Sequence, residues 1–182
     1  MAENFLERLR TLNRSVAVII GGLLLICAMV VLADIVLRQL GHSFGGTDEI
    51  SGYVMAIATS WGMAYALLEL GHVRIDLMRT RLAARGRSLL DVLAMLALNA
   101  TISVIAWRCW PVLERSINNS SRANTPLETP LALVQTPWFL GWVWFAIMSW
   151  LVFGAAVSLI LQGKFNKAEA AIGSMAEADT LS

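Results

Sequence analysis

Between Glu49 and Glu69 the chain carries nineteen consecutive uncharged residues, Ile50 to Leu68, with charged or polar groups at both ends. At 1.5 Å per residue this makes a helix about 28 Å long, which matches a bilayer hydrocarbon core of roughly 30 Å. The pattern predicts a membrane span with charged mouths. Asp48 and Glu49 open it, and Glu69 followed by Gly71-His72-Val73-Arg74-Ile75-Asp76 closes it.

Composition supports lipid as the solvent. Of 182 residues, 57% are hydrophobic and 15% charged, whereas soluble domains run near 25% charged. A net charge of +1 argues against nucleic acid as a partner, since phosphate recognition needs a concentrated basic surface. Cys27 and Cys109 fall in different apolar segments, at different expected depths, and read as small apolar fillers rather than a disulfide.

The sequence predicts an all-α integral membrane protein with four spans, at about residues 15–37, 50–69, 88–110 and 137–162, within a single domain over 1–182. A cleaved signal peptide competes for the first span, with Arg8, Arg10 and Arg14 as its basic region. The apolar run is too long for that and lacks a convincing cleavage site, so a retained helix is expected. Residues 129–163 hold no charge, yet one helix of that length would measure about 52 Å, which exceeds the bilayer. Thr136 as N-cap and Pro137 at the first helical position are expected to divide the stretch. Residues 111–135, with Pro126, Pro130 and Asn118-Asn119-Ser120-Ser121, then form an ordered extracytoplasmic loop, and residues 166–182 a mobile tail.

Ten of the fourteen lysines and arginines precede span one, lie between spans two and three, or follow span four. The positive-inside rule therefore places both termini in the cytoplasm. Phe5, Leu9 and Leu12, and again Ile75, Met78 and Leu82, share helical faces among arginines and suggest amphipathic interfacial helices.

Catalytic chemistry finds little support. His42 and His72 are expected on opposite membrane faces, too far apart to share a haem, and ligand sets for zinc are lacking, so no cofactor or metal is expected. Asp34 and Arg38 stand one helical turn apart and are expected to form a local ion pair. Gly52, Ala56, Ser60 and Ala64 recur at every fourth position of span two, with Ala58, Gly62 and Ala66 on a second face. Small-xxx-small faces let helices approach closely, so this helix is expected to pack on two sides. Trp138, Trp142 and Trp144 near the start of span four read as membrane-interface aromatics.

In order and spacing, these landmarks resemble the small, DctQ-type membrane subunit of tripartite ATP-independent periplasmic (TRAP) transporters. They are Arg38 closing span one, Asp48-Glu49 opening span two, Gly62 and Ala64 within it, the His72 to Asp76 ending, and Pro137-Trp138. Glu69 departs from the family, where a basic residue is frequent. The resemblance implies a non-catalytic subunit in the inner membrane of a bacterium or archaeon. Its implied partners are a large multi-span elevator subunit, which holds the substrate and sodium sites, and a periplasmic substrate-binding protein that delivers a carboxylate or sulfonate. An anchor or assembly subunit of another membrane complex is the alternative. Within the TRAP reading, Arg38 and Glu49 are expected to pair across the outer mouth, and His72 to hydrogen-bond Asp76 at the inner one.

Overall fold

The computed structural model describes residues 2–71 and 84–173. The chain is all-α: α1 (Ala2–Gln39), α2 (Thr47–Leu68), α3 (Ala84–Asn118), α4 (Leu131–Leu161) and the short α5 (Phe165–Ile172). α2 packs between α1 and α4, α4 packs also on α3, and α5 closes one end against α3 and α4. The core runs along α4 through Phe145, Met148, Val152, Ala156 and Leu159, and meets Ala64, Leu67 and Leu68 of α2 and Met95 and Ile102 of α3.

Among the described residues, three helices are long and apolar enough to cross a membrane: Asn4–Gln39, Gly86–Asn118 and Leu131–Leu161. α2 has 22 residues, also long enough at about 33 Å, but glycines, serines and threonines dilute its apolar content.

Several expected boundaries are corrected. α1 is continuous over 38 residues, so residues 5–12 are its first turns and not a separate interfacial helix. Its buried stripe is Leu6, Leu9 and Asn13, while Phe5 and Leu12 stay exposed. α3 continues through Pro111 to Asn118, although the proline removes one helical N–H and leaves the carbonyl four residues earlier without its donor. α4 begins at Leu131 with Pro130 at its N-cap position, so Pro137 lies inside the helix. Thr136 does not cap; its hydroxyl donates back to the Ala132 carbonyl at 2.7 Å. The run Leu131-Ala132-Leu133-Val134 is apolar and fits a helical extension that the proline rule alone did not reveal.

The connection between α3 and α4 is therefore short and ordered. Arg122 and Pro130 form an antiparallel bridge, Ala123 N donates to Thr129 O at 2.9 Å, and Leu131 N to Ser121 O at 2.9 Å. Part of the expected mobile tail is also structured, since α5 buries Ala168, Ala171 and Ile172. The face built on Ile75, Met78 and Leu82 lies outside the described residues.

Candidate functional site

A turn of seven residues joins α1 to α2, and a single carboxylate holds it. Asp34, in the penultimate turn of α1, is 1% exposed. Its Oδ1 accepts hydrogen bonds from the Ser43 hydroxyl at 2.9 Å and the Phe44 backbone N–H at 2.8 Å. Its Oδ2 accepts from Arg38 Nε at 2.7 Å and from the Thr47 hydroxyl at 2.7 Å. Thr47, the first residue of α2, in turn accepts from Arg38 Nη2 at 3.1 Å. Both carboxylate oxygens are thereby satisfied by partners from α1, the turn and α2, which is the condition for a charge to persist in a buried position.

Arg38 closes the cluster from outside. It pairs with Asp34 at 2.7 Å, as the sequence suggested, and reaches Asp48 at 3.6 Å. Asp48 is 88% exposed, so solvent screens that second pair heavily. The expected Arg38–Glu49 pair is not formed. Glu49 lies on another side of α2, where its Oε1 accepts the Tyr53 hydroxyl at 2.6 Å. The Thr125 hydroxyl, most of all, and the Tyr53 hydroxyl hold its carboxyl below the ordinary value of 4.5. Glu49 thus faces the α3–α4 connection. That connection also touches the turn, because the Leu127 side chain fills the space where a Cβ on Gly46 would stand. Gly46 adopts φ of +73°, so both its backbone conformation and its surroundings require glycine.

Farther along α2, the small-residue face divides. Ser60 and Ala64 are fully buried, whereas Gly52 and Ala56 are exposed. Gly62 is half-buried with open space above its Cα. The close approach is to α4 at Gly141. A Cβ there would collide with the Ser60 hydroxyl and stand 2.8 Å from both Ser60 Cβ and Trp61 Cδ1. Beside it, Trp61 Nε1 donates to the Pro137 carbonyl at 2.9 Å. The helix pair is therefore fastened by a small-residue contact and a side chain to backbone bond at neighbouring positions, a combination suited to apolar surroundings.

The same junction extends to α1. The Trp61 and Trp144 rings stand 6.0 Å apart at a tilt of 31°, and Trp144 Nε1 donates to Asn13 Oδ1 at 3.1 Å. Asn13 is fully buried, and its Nδ2 donates to the Leu9 carbonyl at 3.0 Å. Trp144 thus turns into the helix junction rather than serving only as a membrane-interface anchor. Trp142 packs on the core with its ring 6.3 Å from Phe145, and Trp138 is half-buried. His72 and Asp76 lie outside the described residues.

Sequence reasoning placed Arg38, Asp48, Glu49, Ser60 and Ala64 among the candidates but missed Asp34 as a hub, together with Asn13, Trp61 and Gly141. A signal for Asp34 was present: one acid near the end of an apolar run, followed within thirteen residues by Arg38, Ser43 and Thr47. Nothing in the spacing marks Gly141 or Asn13, because their partners come from other helices.

No curated protein and no solved structure matches the chain. Residues 27–161 match the family described as tripartite ATP-independent periplasmic transporters, DctQ component. The matched stretch contains the Asp34 cluster, all of α2, α3 and α4, and the Ser60–Gly141 contact. The chain therefore belongs to the DctQ family, the non-catalytic, multi-pass small membrane components of TRAP transporters.

Proposed function

We propose that α1 to α4 all cross the bilayer, with both termini in the cytoplasm, and that the protein is the scaffold subunit of a sodium-coupled TRAP transporter. In this reading it extends the stationary part of a large elevator-type subunit. It also helps dock a periplasmic binding protein that delivers an organic acid, a carboxylate or sulfonate. An elevator mechanism needs a stator, since a domain that slides by many ångströms must slide against something that stays still.

The observation that carries this reading is the fixation of α2 on both flanks. Asp34 ties its first residue to α1, and Ser60 and Trp61 lock its middle against Gly141 and Pro137 of α4. Such contacts suit a rigid body and hold polar groups in bonds within the subunit, leaving the exposed small residues Gly52 and Ala56 for a further helix.

The test is affinity purification of the tagged chain from its native membrane, followed by reconstitution. A large multi-span subunit of about twelve spans should co-purify, and sodium-driven uptake in the presence of the binding protein should require both membrane chains. Uptake by the large subunit alone at the full rate would overturn the scaffold role. Cysteine accessibility at introduced sites near Gly45 and Lys164 tests the four-span topology: protection of both from the same side is incompatible with it.

A further inference from the structure

We infer that Asn99 binds a water molecule inside the bundle, on the face of α3 that packs against α4. Asn99 is 0% exposed, and neither its Oδ1 nor its Nδ2 has a hydrogen-bond partner among the described residues. It lies midway between Asp91 and Arg108, the charges that bound the uncharged stretch of α3. On the same buried stripe, Met95 precedes it by one turn and Ile102 follows it, and both belong to the core with Phe145, Met148 and Val152 of α4. An amide enclosed among apolar side chains loses the bonds it makes in water, and neither lipid nor packing offsets that loss. Nothing in the fastening of α2 involves this position, so the site goes beyond the scaffold role.

The side chain selects its own ligand. Oδ1 needs a donor and Nδ2 an acceptor. A cation would serve Oδ1 alone and an anion Nδ2 alone, whereas one water serves both. Full burial restricts the ligand to something small enough to be enclosed, which rules out a lipid or a side chain from another subunit. A third contact is at hand in Ser103, one turn on. Its hydroxyl donates to the Asn99 backbone carbonyl at 2.7 Å and accepts the Trp150 indole N–H at 3.0 Å, which leaves it one lone pair to accept from a water. Positions four apart on a helix stand about 6 Å from each other, a span that a single water bridges. Oδ1, Nδ2 and Ser103 Oγ together supply the roughly three hydrogen bonds that a buried water makes.

Hydroxyl-radical footprinting by X-ray radiolysis of the purified full-length chain in detergent tests the site. Radicals formed in bulk solvent do not reach an enclosed side chain, but a bound water generates them in place. Helical side chains lean toward the N-terminus, so Asn99 covers the turn that carries Met95, which is itself 0% exposed and readily oxidised to the sulfoxide. The expected result is dose-dependent oxidation of Met95 in the wild-type chain and its loss in N99L and N99A. N99L fills the position with apolar atoms, and N99A leaves an apolar cavity, which stays dry, so the two variants reach the same readout through opposite changes in packing. Cys109, about 15 Å farther along α3, serves as the dose reference and should be oxidised equally in all three. Absence of Met95 oxidation in the wild-type chain would show a dry interior and overturn the inference. Oxidation that persists in either variant would also overturn it, by assigning the radicals to a source other than water held by Asn99. Both outcomes are read on the isolated chain, independently of transport.

Discussion

Asp34 Oδ2 accepts the Thr47 hydroxyl at 2.7 Å, so the first residue of α2 is tied directly to a carboxylate in the penultimate turn of α1. The bond spans thirteen residues and the whole interhelical turn. The two helices are thus held by a side-chain clamp as well as by packing, and the clamp sits where α2 begins and its orientation is decided.

Removing the Thr47 hydroxyl tests this relationship. T47V keeps the shape and deletes a donor to Asp34 and an acceptor for Arg38, at a net cost of about 1 kcal/mol. D34N should destabilise more, because it removes the charge that Arg38, Ser43, Phe44 and Thr47 all address. Thermal unfolding of the purified chain should show T47V adding little on top of D34N. Full additivity of the two losses would mean that the bond contributes nothing.

A charge exchange between Arg38 and Glu49 should fail to rescue. Each single reversal, R38E and E49R, should lower the yield of folded chain, and the double variant should be no better than the worse single one. Arg38 belongs to Asp34 and Glu49 to Tyr53, so the exchange breaks two separate contacts and creates none. Recovery of yield in the double variant would restore the direct pair that the sequence suggested.

That failed pair shows what was legible in the chain. The helical class, the apolar segments, the Asp34–Arg38 turn and the packing of α2 on two sides follow from local periodicity and charge spacing, which act within one or two helical turns. Arg38 and Glu49 both lie beside the α1–α2 turn, but sequence spacing across a glycine-rich turn does not fix the rotation of α2. One helical position is about 100° of rotation, enough to send Asp48 toward Arg38 and Glu49 toward the α3–α4 connection. The start of α4 was misread for a related reason. Proline statistics favour the first helical position, yet the apolar residues before Pro137 extend the helix backwards. In the Ser60–Gly141 contact the four-residue spacing marks Ser60, but nothing marks Gly141, because the partner helix decides which residue Ser60 meets.

Gly141 should tolerate no side chain while Ser60 is present. The Cβ of G141A would stand 2.8 Å from Ser60 Cβ and from Trp61 Cδ1, so α2 and α4 must separate, at about 1–3 kcal/mol. S60G in the same chain relieves the Ser60 half of the clash and should recover part of the loss, since residues in direct contact couple. A double-mutant cycle on unfolding midpoints measures this. An unperturbed G141A would show that the helices are not in close contact here.

The Asn13–Trp144 bond should couple α1 to α4 independently of the Asp34 clamp. Asn13 is fully buried, and its Oδ1 accepts the indole N–H while its Nδ2 is satisfied within α1. N13L deletes the acceptor and W144F the donor. Interhelical hydrogen bonds in membrane proteins are worth about 0.6 kcal/mol on average and up to about 1.7 kcal/mol, so the coupling between the two substitutions should fall in that range. Combining N13L with T47V should instead give additive losses, because the bonds lie far apart on α1 and share no partner. Zero coupling between N13L and W144F would assign Trp144 back to the lipid boundary, whereas strong coupling between N13L and T47V would mean that α1 responds as one rigid lever to a loss at either end.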